Sequence, residues 1–355
     1  MEFYYSIFII GFLLCFFDFV DIRVVKNALY FLFCAFLVII TGLRSIGIDN
    51  DSRAYEAMFN FYGTTSVPLI IKGGFGYVEK GYVFLNHYLY KLGFTFRTFL
   101  FLISVVTGYL NFRYYQKKSN FIFLSLLFHL SFFYLYRDFT QIRYAFACSI
   151  LFWSVESYLN KSYKWSLLIF FIALSMHNSS IILIPALLFM RYVDNKYIYI
   201  LLPLPCLILG KVLNVFNYLS NSYLSTEHMT IYQNDQSGGS LSISIIGYFL
   251  VLLYMLANYS KRATVHEKKS YFYWKLVALS VSLNFLVFNI SIFQRFSFIL
   301  FQFSVILLPF ILDDFRLNFL KKDHFFMLYF LFSLLLLLYG LRMIDINLIR
   351  PYTTI

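Results

Sequence analysis

Long apolar runs recur along this chain, separated by short basic loops and by two longer polar stretches. They place candidate membrane spans at 3–20, 27–41, 95–112, 121–136, 140–158, 197–216, 242–259, 273–292, 296–312 and 324–341. Each run is continuous rather than alternating, so each predicts a helix and not a barrel strand. At about 20 residues per crossing, the chain accommodates roughly ten to twelve passages. A further run, 165–190, is too short for two crossings and long for one, and its centre reads "HNSS". This predicts two short helices meeting inside the membrane, a re-entrant hairpin, with one long tilted span as the alternative. The fold class expected is an all-α polytopic integral membrane protein with one broken segment, built as a single membrane domain over 1–355.

Loop charge orients these helices. The basic loops "RYYQKKS" (113–119), "NKSYK" (160–164), "KRATVHEKK" (261–269) and "RLNFLKK" (316–322) mark the cytoplasmic side. The segments 42–94 and 217–241 are richer in polar residues and glycine, and fall on the opposite side as extracytoplasmic loops. Within the first, "VEKGYVFLNHYLYKLG" (78–93) mixes apolar and aromatic residues with charged ends, which predicts a helix lying at the interface. The counting places both termini outside. The opening "MEFYYSIFIIGFLLCFF" lacks a basic n-region and a small-residue cleavage site, so it reads as a retained span.

Composition adds little to that picture but closes off alternatives. The chain is 61% hydrophobic and 13% charged, too apolar for a soluble domain. The net charge of +12 resides mostly in interhelical loops, so it reports topology and not nucleic-acid binding. Cys15, Cys34, Cys148 and Cys206 lie in apolar runs without paired spacing, and indicate neither a metal site nor a disulfide framework. No cofactor is indicated.

Charged groups at membrane depth are expensive, so each is a candidate for function. The stretch "YRDFTQIRY" (136–144) joins two apolar runs. Asp138 and Gln141 have capping-box spacing and predict a helix starting at about Phe139. Arg137 and Arg143 then flank a helix N-terminus, which makes an anion site; snorkelling at the interface is the alternative. A second group opens the outer loop, "GLRSIGIDNDSRAYEAMF" (42–59), where Gly42 and Gly47 permit a tight chain path. Arg44 stands at the boundary there, and Asp49 is a candidate general base. The spacing "DND" also resembles the metal pair of nucleotide-sugar transferases, but the expected side of the membrane lacks such donors. Glu79 either faces this cleft or starts the interfacial helix. His177 and Asn178 sit at the polar break, where they line a cavity or serve as hydrogen-bonded core. Arg295, beside Gln294, occupies another outer turn. Arg44, Asp49, Arg137, Arg143 and Arg295 map to one membrane boundary, which His177 could approach from within, and this points to an anionic head group, best a lipid diphosphate.

With those motifs in view, the sequence resembles the EpsG/Wzy group of bacterial polysaccharide polymerases. The resemblance rests on "GLRSIGIDNDSRAYEAMF", "EKGYVFLNHYLYKLG", the R-D-x-x-Q-x-R run with the polar-flanked histidine downstream, and more faintly "QRFSFILFQFSVILLP". It implies a C-type glycosyltransferase-like enzyme in the bacterial cytoplasmic (inner) membrane, its site facing the periplasm. Growing glycan would pass from undecaprenyl diphosphate to a sugar hydroxyl of another lipid-linked repeat unit. By position, Arg137, Arg143, Arg295 and Arg44 would hold the diphosphate, and Asp49 or His177 would act as base without a metal. Asp138, Gln141, Glu79 and Asn178 would support them. A chain-length regulator and a flippase are the partners implied. Three alternatives stay open on sequence: a flippase for the same lipid-linked sugar, a membrane acyltransferase using His177, and an O-antigen ligase sharing the diphosphate site.

Overall fold

A computed structural model of the chain describes residues 1–72, 78–212, 241–258, 265–288, 293–318 and 320–354. In chain order the helices are α1 (Glu2–Leu14), α2 (Arg23–Gly42), α3 (Ser52–Thr64), α4 (Val67–Lys72), α5 (Lys80–Lys91), α6 (Phe96–Lys118), α7 (Ile122–His129), α8 (Ile142–Leu159) and α9 (Tyr163–Met176). They continue as α10 (Leu183–Tyr192), α11 (Lys196–Leu201), α12 (Pro203–Leu207), α13 (Leu241–Ala257), α14 (Val265–Leu286), α15 (Gln294–Phe301), α16 (Ser304–Asn318) and α17 (Lys322–Arg342). The expected outer loop 217–241 lies outside the described residues apart from Leu241.

The protein is an all-α polytopic membrane protein. Four helical stretches, Glu2–Phe19, Arg23–Gly42, Gln294–Leu317 and Lys322–Arg342, are long and apolar enough to cross a bilayer. Their outward faces are apolar: Phe31 and Leu32 on α2 and Met327 on α17 are 62–70% exposed, a pattern that suits lipid and not water. The segment 42–94 carries α5 where an interfacial helix was expected, and also α3 and α4, which were not.

The described residues pack as two compact units, Met1–Asn178 with Lys322–Ile355, and Ser179–Lys321. In the first, neighbouring helices run up and down between two poles. Antiparallel α1 and α17 meet along their length, Phe8 packing at Gly340 and Phe19 on Phe326. Antiparallel α2 and α6 are tied by Tyr30, whose hydroxyl donates to the Phe112 carbonyl at 2.9 Å. Helices α8 and α9 exchange reciprocal bonds, each of Ser154 and Ser166 donating to the other's carbonyl at 2.9 Å.

At one pole lie the basic residues Arg23, Lys26, Lys117, Lys118, Lys161, Lys164 and Lys322, at helix ends or in the turns between them. Buried Asp18 organises this pole. Its carboxylate accepts the amides of Phe123 and Leu124 at 3.2 and 3.0 Å and the Tyr329 hydroxyl at 2.8 Å. It thereby caps α7 with a side chain from another helix, because Phe121 at the local cap position has no oxygen to offer. At the other pole gather the start of α1, the end of α2 and the start of α8, shown by Tyr4 on Phe139 and by Tyr352 donating to the Ile40 carbonyl.

In the second unit, α14 packs on α13 and α15 around fully buried Trp274, whose indole donates to the Val251 carbonyl at 3.0 Å. Polar rungs cross its helices: Asn284 donates to Ser297 Oγ at 2.9 Å and Ser280 to the Ser297 carbonyl at 2.7 Å.

One expectation needs correction. The helix after α7 does not start at Phe139 on an Asp138–Gln141 capping box. Helix α7 continues instead as a π-helical stretch, Leu130–Asp138, and α8 starts at Ile142 with no side-chain cap. The reason is that Asp138 faces the interior and is occupied by other partners. The run 165–190 does break where expected, with His177 extended at the end of α9 and a 3-10 turn, Asn178–Ile182, before α10.

Removing the Asp18 carboxylate strands two buried amides, each worth about 1–3 kcal/mol when unsatisfied. Asp18→Ala is therefore expected to lower the thermal midpoint of the detergent-solubilised protein by several degrees, and Asp18→Asn by less. An unchanged midpoint in the alanine variant would refute the capping role.

Candidate functional site

The pole opposite the basic residues holds three arginine–carboxylate pairs, all of them buried. The first is built by the loop after α2. Gly47 takes φ +92° and turns the chain, with no room for a Cβ beside Arg53. That turn brings Asp49 back to Arg44, and Arg44 Nε donates to Asp49 Oδ2 at 2.8 Å. Asp49 Oδ1 accepts the amides of Asp51 and Ser52 at 3.0 and 2.7 Å, so the same carboxylate closes the N-terminus of α3. Arg44 is fully buried, gives Nη1 to the Thr41 carbonyl and lies 4.8 Å from the Phe139 ring centroid. Its Nη2 is buried with no hydrogen-bond partner among the described residues.

The C-terminal tail completes this loop. Isolated bridges join Arg44 to Thr354 and Asp49 to Ile349, with Ser45 N donating to Thr353 O at 3.0 Å and Arg350 N to Ile48 O at 2.8 Å. Irregular backbone at a membrane boundary needs such partners.

The second pair stands on the π-helical stretch. Arg137 Nε donates to Asp138 Oδ1 at 2.6 Å, and the guanidinium lies 4.6 Å from the Phe133 ring centroid. Asp138 Oδ2 accepts Asn111 Nδ2 at 3.0 Å and faces His129 Nε2 at 2.9 Å. Tyr115 meets the other ring nitrogen of His129 at 2.9 Å. The wide turn, with Phe139 N bonded to Tyr134 O at 2.8 Å, ends the π-helical stretch just past Asp138. Such bulges recur at functional sites.

The third pair links three segments. Arg143, in the first turn of α8, donates Nη1 to Glu79 Oε2 at 2.8 Å. Glu79 immediately precedes α5, and its Oε1 accepts the Asn178 amide, also at 2.8 Å. That amide follows His177, which is extended and therefore breaks α9. The imidazole is buried against the edge of Tyr144, 5.0 Å between centroids. Arg143 lies 5.4 Å from the Tyr82 ring centroid and 6.0 Å from that of Tyr55.

Arg44 and Arg143 are thus brought to one pole with Asp49, Glu79, His177 and Asn178, while Arg137 and Asp138 start from the same turn and reach inward to Asn111 and His129. The turn 137–143 is their hub, since it carries two of the arginines and the Phe139 ring that lies on the third. Gln141 contributes its backbone, its amide donating to the Arg137 carbonyl at 2.8 Å. Arg295 lies half-buried at the start of α15, in the second unit. The arginines are not bare cations: each of the three holds a carboxylate, so the cluster is close to neutral as it stands. Each guanidinium is held in a fixed orientation by its carboxylate.

The sequence profile of the EpsG family matches residues 27–354, nearly the whole chain. The chain belongs to the EpsG family. No curated protein and no solved structure matches it. The EpsG family is associated with glycosyltransferase-like polymerase activity in polysaccharide biosynthesis.

Sequence reading of this EpsG-family chain missed Asn111, Tyr115 and His129, which surround Asp138. A signal was present: Asn111 and Tyr115 are four residues apart on α6 and so share a face. It also missed the tail, whose role rests on backbone pairing that side-chain identity does not reveal.

Breaking a buried ion pair by removing one partner typically costs about 3–5 kcal/mol, whereas replacing both with apolar residues is often neutral. Asp49→Ala is expected to destabilise the protein strongly, and the double change Arg44→Met with Asp49→Leu to recover the part due to the stranded guanidinium but not the part due to the uncapped α3 amides. Thermal unfolding in detergent measures both; equal midpoints for the single and double variants would deny the pair its structural weight.

Proposed function

We propose that this protein is a polysaccharide polymerase of the extracytoplasmic membrane face. In this reading it transfers the growing glycan from undecaprenyl diphosphate to a sugar hydroxyl of another lipid-linked repeat unit. The observation that carries the reading is the Arg143–Glu79 pair bound to the break at His177–Asn178, 2.8 Å on each side of the carboxylate. It puts an oriented guanidinium and an imidazole beside one broken helix. The basic residues at the far pole support an outward-facing site in the cytoplasmic membrane by the positive-inside rule.

The roles follow from the chemistry. The acceptor oxygen attacks the anomeric carbon of the donor glycan, the carbon–oxygen bond to the diphosphate breaks, and the electron pair leaves with the phosphate. Arg143, Arg137 and Arg44 donate to that departing charge and stabilise it most in the transition state. The buried Nη2 of Arg44 is a ready donor. His177 takes the proton from the acceptor hydroxyl. Asp49 has both oxygens engaged, so its part is to hold Arg44 and cap α3, and the base role passes to His177. Glu79 and Asp138 fix their arginines, and the Asn178 amide fixes Glu79.

Purified protein given lipid-linked repeat unit is expected to produce a ladder of longer glycans. Arg143→Ala abolishes the ladder while the protein stays inserted, and Arg143→Lys retains a fraction because lysine lacks the forked donors. His177→Ala slows elongation by about 10²–10⁴-fold, the usual contribution of a general base. A wild-type protein that moves the lipid across vesicles without lengthening it would make it a flippase and end this reading.

A further inference from the structure

Away from the arginine cluster, α2 and α6 frame a groove of about 490 Å³ in the first unit, within the range of ligand sites. Phe31, Cys34, Ala35 and Val105 give it an apolar wall, and the guanidinium of Arg113 stands at its end with Gln116. The groove has a floor and a stop. Tyr30 bonds to the Phe112 carbonyl at 2.9 Å and ties the two helices behind it. Toward the arginine cluster, Gly108 packs directly on Val38, where a Cβ would come within 2.3 Å of the valine Cγ2. The helices therefore touch at that point, and the groove lining ends one turn further on, at Val105.

Its other end is polar and belongs to the basic pole. Arg113 is exposed and gives one donor to Gln116 Oε1 at 2.7 Å, and Gln116 Nε2 reaches Asn27 Oδ1 at 3.3 Å. No acidic side chain lines the groove. An apolar trough that ends in an exposed guanidinium matches one kind of molecule in a bilayer: an acyl chain joined to an anionic head group.

We propose that the α2–α6 groove is an anionic phospholipid site, with one acyl chain along Ala35 and Val105 and the lipid phosphate on Arg113. The proposal is independent of the polymerase reading, because none of Arg44, Arg137, Arg143 and their carboxylates lines this groove. The head group lies at the pole of the basic loops, in the opposite leaflet from the proposed catalytic end.

Native mass spectrometry of the full-length protein, after equilibration with vesicles of phosphatidylglycerol or phosphatidylcholine, tests this. The wild type is expected to retain phosphatidylglycerol about fivefold more than phosphatidylcholine, the weight of one basic residue near an anionic head group. Arg113→Glu, an exposed change, abolishes that preference. Ala35→Trp, or Val105→Trp at the partly exposed wall, fills the groove and removes the retained lipid of both kinds. Undiminished retention in either tryptophan variant overturns the site, and a persisting preference in Arg113→Glu overturns the head-group assignment. Displacement of phosphatidylglycerol by a polyprenyl phosphate at equal concentration gives the groove to the carrier lipid and likewise overturns the proposal.

Discussion

A guanidinium buried at a membrane boundary is tolerable only with an anion in contact, because the desolvation penalty of an isolated charge amounts to several kcal/mol. The pole that carries Arg44, Arg137 and Arg143 obeys this constraint three times, and each solution dictates a piece of the fold. Asp49 requires the tight turn at Gly47, and that turn in turn delivers the acceptor that starts α3. Asp138 has to face inward, which the π-helical stretch before it achieves. Glu79 has to reach across from the outer segment, and α5 is thereby seated against α8 and α9. Gly81 then packs on Ser175 with no space for a side chain. The bonds that make the arginines tenable are the bonds that hold the outer segment on the bundle.

This arrangement changes how an anionic substrate would be met. A bare cluster of arginines would repel itself and bind any anion. Paired arginines are oriented in advance, so little reorganisation is needed when charge develops. The pair with Glu79 differs from the other two in that its carboxylate also holds the chain at the helix break. A shift of Arg143 toward a phosphate would loosen Glu79 from the Asn178 amide, and the segment bearing His177 would feel it directly. In the proposed reaction, binding of the leaving group and placement of the imidazole would in that way be joined through one carboxylate.

Much of this was legible beforehand, for physical reasons that can be named. Membrane helices announce themselves through hydropathy, since the bilayer leaves a helix few alternatives. Arg44, Arg137 and Arg143 stood out because charge among lipid tails demands a cause. The break at His177 was visible as "HNSS" in an apolar run. What escaped was partnership. Nothing local says that Asp138 turns toward His129 on one helix and Asn111 on another, and the capping-box spacing argued for a role that tertiary contacts overrode. Asp18 escaped likewise: an aspartate at the end of a span looks like an interfacial residue, yet it caps a helix more than a hundred positions away. Helix α3 was hidden in a segment whose polar composition reads as loop until Asp49 supplies its first acceptor.

The C-terminal tail has a structural role although the last membrane helix ends at Arg342. Residues 349–354 supply backbone partners to the loop of Arg44 and Asp49, and Tyr4 donates to the Arg350 carbonyl at 3.1 Å. Both ends of the chain therefore brace the segment that carries the first arginine pair. Backbone pairing of this kind constrains geometry more than residue identity, so side chains here are free to differ while the path is kept. The two poles of the first unit divide the labour accordingly. Where the basic residues lie, charge faces outward to meet solvent and lipid head groups. Where the paired arginines lie, charge is turned inward and neutralised, and the chain spends its loops, its helix break and its tail on holding it there.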